Sequence, residues 1–280
     1  MSNNTTTSTK LRIPHPAEPD CAIVGILEQH SPSSPTQGRK LALVDYLFQK
    51  RLALKLPLDS FRFDFRGNHE TAGTWRQGAM MDDLVDLMVV VDYLKSTYGY
   101  VIDLVVGHSR GAMTAIRWIC TTDEGRNISG FVNASGRYRM HSPAADAWKA
   151  SFKERGYYDW KVTVARKPVT VKIFPEDLET TAKWDTSIIW DRFPPNVDVL
   201  TLHGLADGTV PPYDAMIFAR AFSGRTPGTH VLNMIEDADH NYTGRQNEVV
   251  SAILDWWAAR ERGELKTSVW VEQEALRARL

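Results

Sequence analysis

VIDLVVGHSRGAMTAI, residues 101–116, is the stretch whose reading decides the fold. It opens with an apolar, β-branched run, 101–106. That run is too short for a globular helix and predicts a buried parallel strand. The chain then turns at Gly107-His108-Ser109-Arg110-Gly111. From Ala112 onward the spacing predicts a helix with Met113, Ile116, Ile119 and Cys120 on one face. Strand, G-x-S-x-G, helix is the context of a nucleophile elbow, in which a strained turn lifts a serine hydroxyl above the sheet. Gly107 and Gly111 then support the turn because a Cβ there would strike the neighbouring strand or helix. The helix N-terminus brings unpaired N–H groups, so the Arg110 amide is the expected oxyanion donor. The plainer alternative is a glycine-rich βα turn with a bystander serine.

Working outward, strands and helices alternate. Residues 11–13 and 21–28 read as a pair of strands, 60–65 (SFRFDF) as a strand and 66–78 as a polar loop. Residues 81–98 form an amphipathic helix, with Leu84, Leu87, Met88, Val91 and Leu94 facing inward. Strands follow at 130–134, 197–203 and 229–235, and helices at 212–222 and 246–262. This alternation predicts an α/β fold with a mostly parallel, doubly wound sheet, whose ligands bind at the strands' carboxyl ends. Residues 1–10 are Thr/Ser-rich and expected to be disordered. Residues 11–134 and 196–265 form the core. Residues 135–195, rich in Trp, Tyr, Arg and Lys, read as a cap or lid insertion with helical pieces at 144–155 and 177–183. Residues 266–280 read as a tail or helix.

Composition narrows the class. A chain of 280 residues, 43% hydrophobic, can bury a sizeable core, and a formal net charge of −1 gives no reason to expect a nucleic acid partner. Two cysteines, Cys21 and Cys120, imply no disulfide framework. The start lacks an apolar signal region and no run is long enough to span a membrane, so a cytoplasmic protein is expected.

A serine nucleophile needs a base, and the base needs an acid to orient it. Asp207, in HGLADGTVP, follows the strand at 197–203. His240, in EDADHNY, follows the strand at 229–235. The order Ser109, Asp207, His240 is the order of hydrolases built on this kind of sheet. Other residues compete less well. His203 reads as a packed strand residue, and His108, the elbow's variable position, as lining or supporting the site. His69 lies in a polar loop expected to face solvent. Asp237 and Asp239 are so close to His240 in sequence that they are expected to point elsewhere. Nothing with metal-ligand spacing and no nucleotide-binding glycine pattern is present, so no metal and no cofactor is expected.

The segments SFRFDFRGNHETAG, VVGHSRGAM, LHGLADGTVPP and EDADHNYTG together resemble the α/β-hydrolase superfamily, in particular its serine aminopeptidase-like (S33-type) and cinnamoyl-esterase-like groups. The resemblance implies that Ser109, Asp207 and His240 form the triad and that residues 135–195 are the lid. One departure stands out. The family's third strand ends in a His-Gly loop that supplies the second oxyanion N–H. Here residues 40–47 read KLALVDYL. A strand-to-helix connection usually takes about 2–6 residues, and by comparison with the family roughly ten residues are missing after Val44. Either LALV is a stunted strand, or 40–56 is one helix and a central strand is lost.

Two functions follow. One is a serine hydrolase of carboxylic esters, less favourably amides or peptides, acting on a small-molecule ester through an acyl-enzyme. The other is a catalytically impaired protein of the same fold that binds a small molecule or partner, or a truncated gene product. Aromatic residues of the insertion (Tyr138, Trp148, Tyr157, Tyr158, Trp160, Trp184, Trp190) either line an acyl pocket or pack the cap on the body.

Overall fold

The computed structural model describes residues 6–44, 48–140, 144–164 and 167–270. Its centre is a nine-stranded sheet. Strands β1 (Thr7–Ile13) and β2 (Ile23–Gln29) form an antiparallel hairpin at one edge. β3 (Lys40–Val44) leads to the short helix α1 (Gln49–Ala53), then β4 (Asp59–Phe63) and the long helix α2 (Met80–Tyr98). β5 (Val101–His108), α3 (Arg110–Thr121), α4 (Asp123–Arg126) and β6 (Gly130–Ala134) follow. The segment after β6 carries α5 (Ala144–Arg155), the hairpin β7 (Tyr158–Val164) and β8 (Lys167–Ile173), α6 (Pro175–Ala182) and α7 (Ile188–Arg192). The chain then returns through β9 (Asp198–Gly204), α8 (Tyr213–Ser223), β10 (His230–Ile235), α9 (Gln246–Glu261) and β11 (Ser268–Trp270).

The strand order is β1-β2-β4-β3-β5-β6-β9-β10-β11. β2 runs antiparallel to both its neighbours, and every pairing from β4 to β11 is parallel. Side chains alternate between two cores, as strand geometry requires. Leu41, Leu43, Phe61, Phe131 and Val199 pack under α2, α3 and α8. Ala42, Val44, Val132, Leu200 and Leu202 pack under α1 and α9, with Trp256 and Trp257. A register shift between Leu41 and Ala42 skips Asp103, so that Ile102 and Val105 reach the same face despite their odd spacing.

Several expectations change. β3 is a strand in the middle of the sheet, between β4 and β5, so 40–56 is not one helix and no central strand is lost. Its burial decides the matter: residues 41–44 are covered on both faces, which a surface helix cannot achieve. Only residues 45–48 separate β3 from α1, and Asp45, Tyr46 and Leu47 lie outside the described residues. Residues 7–10, expected to be disordered, are paired with β2, because the edge hairpin satisfies backbone groups even where side chains are polar. Residues 268–270, expected in a tail or helix, add an edge strand to β10. Residues 1–5 and 271–280 lie outside the described residues. Met88 is exposed, not inward: α2 buries Leu84, Leu87, Val90, Val91 and Leu94, and Met88 falls on the flank with Met81 and Val85.

Candidate active site

The turn after β5 places Ser109 at φ 50°, ψ −116°, a conformation that side chains other than glycine rarely adopt. The elbow is held by a hydrogen bond from the Ser109 N–H to the Ala134 carbonyl, 2.8 Å, at the end of β6. Gly107 is required because a Cβ there would stand 2.6 Å from Ala112 Cα. Arg110 begins α3, and its N–H has no acceptor among the described residues.

The structure brings the three sequence-nominated side chains together. Ser109 Oγ lies 2.9 Å from His240 Nε2, and His240 Nδ1 lies 2.8 Å from Asp207 Oδ2. The other carboxylate oxygen of Asp207 accepts the backbone N–H groups of Thr209 and Val210, each at 2.8 Å. Burial pushes the Asp207 carboxyl upward, but His203, His240 and the Val210 amide outweigh it and hold it well below the usual carboxylate range. The loops that carry the pair meet because β9 ends in Gly204, against which Ala238 packs. A Cβ at Gly204 would stand 2.2 Å from the Ala238 carbonyl oxygen.

The remaining histidines and acids fall as follows. His108 is buried beside His240: its Nε2 lies 2.7 Å from the His240 carbonyl oxygen. Burial, then the neighbouring His240, lowers its pKa to about 3, so it is a neutral N–H donor. His69 is exposed beside Asp64. Asp239 turns back to accept the amides of Asn241 and Thr243, and Asp237 faces Arg245 at 3.8 Å. Among the described residues no cluster of His, Cys, Asp and Glu could hold a metal ion.

Residues that the sequence did not single out complete the surroundings. Ser135, at the tip of β6 with φ 49°, donates its hydroxyl to the Tyr242 oxygen, 2.8 Å, and Tyr242 in turn donates to the Leu202 carbonyl, 2.9 Å. This chain ties the His240 loop to the sheet. Asp83, near the start of α2, accepts from Arg110 Nε at 2.5 Å, and Arg110 Nη1 donates to the Gln77 carbonyl, 2.6 Å. The acidic pair at 82–83 reads in sequence as ordinary helix-dipole matching, yet Asp83 is buried beneath the elbow arginine.

The segment between β6 and β9 joins the body through α6. Asp177, fully enclosed, accepts from the amides of Phe174 and Gly78, and Thr181 Oγ1 donates to the Gln77 carbonyl at 3.2 Å. Most aromatic residues of the segment pack on one another or on the body. Trp148 stacks on Tyr158, Trp190 Nε1 donates to the Tyr138 hydroxyl, and Trp184 lies under Arg117. Trp160 instead meets Trp75, whose ring lies 5.3 Å from the Arg110 guanidinium. A cleft of about 760 Å³ opens here between the 67–76 loop and β8.

Comparisons with known proteins agree with this architecture. An uncharacterized protein of Saccharomyces cerevisiae is 25% identical over 240 residues, spanning 76% of this chain and 68% of the relative. The structure of a soluble variant of monoglyceride lipase from Saccharomyces cerevisiae, in complex with a substrate analog, aligns with a TM-score of 0.64 at 17% identity, covering 89% of this chain and 95% of that one. Est1E from Butyrivibrio proteoclasticus with bound ferulic acid aligns with a TM-score of 0.64 at 15% identity, covering 89% and 98%. These likenesses show a shared fold, the α/β-hydrolase fold. The prolyl oligopeptidase family matches residues 61–260, and the chain belongs to that family.

Proposed function

We propose that this chain is a serine hydrolase that cleaves carboxylic esters of small molecules through an acyl-enzyme. The observation that carries the reading is the unbroken contact from Ser109 Oγ to His240 to Asp207, at 2.9 and 2.8 Å. In it, Ser109 attacks the ester carbonyl while His240 Nε2 takes the hydroxyl proton. The carbonyl oxygen becomes an oxyanion, stabilised by the Arg110 amide. As the tetrahedral species collapses, His240 returns the proton to the leaving alcohol. Water, deprotonated by the same imidazole, then releases the acid and restores Ser109. Asp207 holds the imidazole with Nε2 toward the serine and stabilises its charged form. Residues 135–195 serve as the cap over this site, and the cleft lined by Trp75 opens beside the ring on which the elbow arginine rests. Burst release of p-nitrophenol from a p-nitrophenyl ester, and labelling by a fluorophosphonate, test the reading. Both are expected in the native protein and absent in Ser109→Ala. Folded native protein that neither turns over nor labels would instead support the catalytically impaired alternative.

Membership of a family named for a peptidase favours a second reading, amide or peptide cleavage by the same residues. Parallel assays with p-nitrophenyl esters and peptidyl p-nitroanilides separate the two: ester cleavage is expected to be the faster.

A further inference from the structure

His203 stands at the end of β9, fully buried, four residues before Asp207. The turn that follows Gly204 brings the carboxylate back to face it. His203 Nε2 lies 3.0 Å from the Val210 carbonyl oxygen and 3.3 Å from Asp207 Oδ2. A carbonyl only accepts, so Nε2 carries the proton and the ring is the Nε2–H tautomer. His203 Nδ1 is enclosed without a hydrogen-bond partner. The N–H is hydrogen-bonded to the Val210 carbonyl at one end of the 207–210 turn, and the same nitrogen lies against the Asp207 carboxylate at the other. The Asp207 oxygen it touches is the one that faces His240 Nδ1 at 2.8 Å. The carboxylate side chain is fully shielded from solvent, and there an N–H dipole at contact distance is felt strongly.

We propose that His203 is a positioning residue for the Asp207–His240 pair: it clamps the 207–210 turn through Val210 and shares the Asp207 oxygen with His240, setting how strongly that carboxylate holds the imidazole. Four other groups act on the pair. Arg137, with Nη2 on the Thr209 carbonyl at 2.5 Å, adds positive charge toward Asp207. The neutral His108 ring lies 5.0 Å from the His240 ring. Asp239 adds negative charge from the His240 loop, and Tyr242 is buried beneath it. Among the described residues, His203 brings a second side-chain nitrogen to the shared oxygen, 3.3 Å away beside His240 at 2.8 Å.

The proposal rests on the hydrolase reading for its kinetic readout but not for its spectroscopic one. Removing the His203 N–H leaves Asp207 a stronger acceptor, which favours protonated His240. In His203→Phe, kcat is expected to fall at least about threefold with KM unchanged, and the acidic limb of kcat/KM to move up by about half a pH unit. His203→Gln, which keeps a donor at the Nε2 position, is expected to return the limb to its native place. The downfield proton resonance of His240 Nδ1–H, assigned by its loss in His240→Gln, is expected to move further downfield in His203→Phe. If the Phe variant does not fold, His203→Asn, too short to reach Val210, replaces it. Unmoved limb and unmoved resonance in a folded variant, or identical behaviour of the Phe and Gln variants, would overturn the proposal. A native protein without turnover would instead count against the hydrolase reading, and the resonance would still decide the role of His203.

Discussion

His108 Nε2 donates to the carbonyl oxygen of His240 across 2.7 Å, although 132 residues separate the two in the chain. The elbow thus carries both the hydroxyl that His240 faces and the donor that fixes the backbone of His240. Replacing His108 with Ala removes that donor and opens a cavity in a packed region. The expected cost is about 2–3 kcal/mol in urea unfolding. Activity is expected to fall roughly tenfold, chiefly in kcat, because the imidazole loses its fixed position. His108→Gln keeps a donor of similar reach and is expected to recover most of both. Equal losses in Ala and Gln variants would show that ring volume, not the hydrogen bond, matters.

Acid sensitivity follows from two buried neutral histidines. Burial lowers both His108 and His230 to about 3, with His240 adding to the effect on the first and Arg225 on the second. The unfolded chain titrates near the ordinary value of 6.5. Between these values the unfolded state binds protons that the folded state refuses, so stability rises with pH. It is fully present above pH 6.5 and is lost as pH falls toward 3, at no more than about 1.4 kcal/mol per pH unit per histidine. Asp207, held below its usual range, acts with the same sign but only below about pH 4. Melting temperature is therefore expected to drop between pH 7 and pH 4.5. His230→Gln, keeping a polar contact to Thr201, is expected to flatten that slope by about half, since one of two such histidines is gone. An unchanged slope would assign the acid sensitivity elsewhere.

Much of this was legible in the chain, for physical reasons. The parallel strands are continuous apolar runs because they are covered on both faces, and Ser109, Asp207 and His240 each follow such a run. The β7–β8 hairpin was missed because its neighbours are Trp, Tyr, Lys and Arg, a composition that hides the Val-Thr-Val alternation at 162–164 and 169–171. Residues 7–10 of β1 and all of β11 escape the pattern because edge strands draw their stability from one neighbour and not from a hydrophobic pattern, whereas residues 11–13 of β1 are apolar enough to read as a strand. The roles of Asp83, Ser135 and Tyr242 depend on contacts between residues 27 to 107 positions apart, which no local spacing reveals.

The Asp83–Arg110 pair links α2 to the elbow. Asp83 is enclosed, and burial raises its carboxyl, countered by the Arg110 guanidinium. Asp83→Ala would leave a partly buried guanidinium with, among the described residues, the Gln77 carbonyl and the Trp75 ring for company. Because the Arg110 side chain is 22% exposed, water recovers part of the loss, and the expected destabilisation is about 2 kcal/mol, below that of a fully buried pair. Urea unfolding reads this directly. In the double variant Asp83→Leu, Arg110→Leu the penalty is expected to shrink, since no orphaned charge remains.

Gly204 is the closest test of how the fold assembles the site. Its hydrogen occupies the space between the end of β9 and the loop before His240, where a Cβ would meet the Ala238 carbonyl at 2.2 Å. Ala206 N–H also donates to that carbonyl at 3.0 Å, so the two loops are joined at this point. Backbone cannot yield as a flexible side chain can, so Gly204→Ala must push the 207 turn away from the 240 loop. A displacement of even about 1 Å is enough to cost roughly a hundredfold in kcat when a base and its orienting acid separate. The sheet itself should survive, because β9 keeps its pairing with β6 and β10. The expected result is a folded protein with native circular dichroism, a lowered melting temperature and little ester turnover. Turnover near the native rate in Gly204→Ala would mean that the two loops reach each other by some route other than this contact.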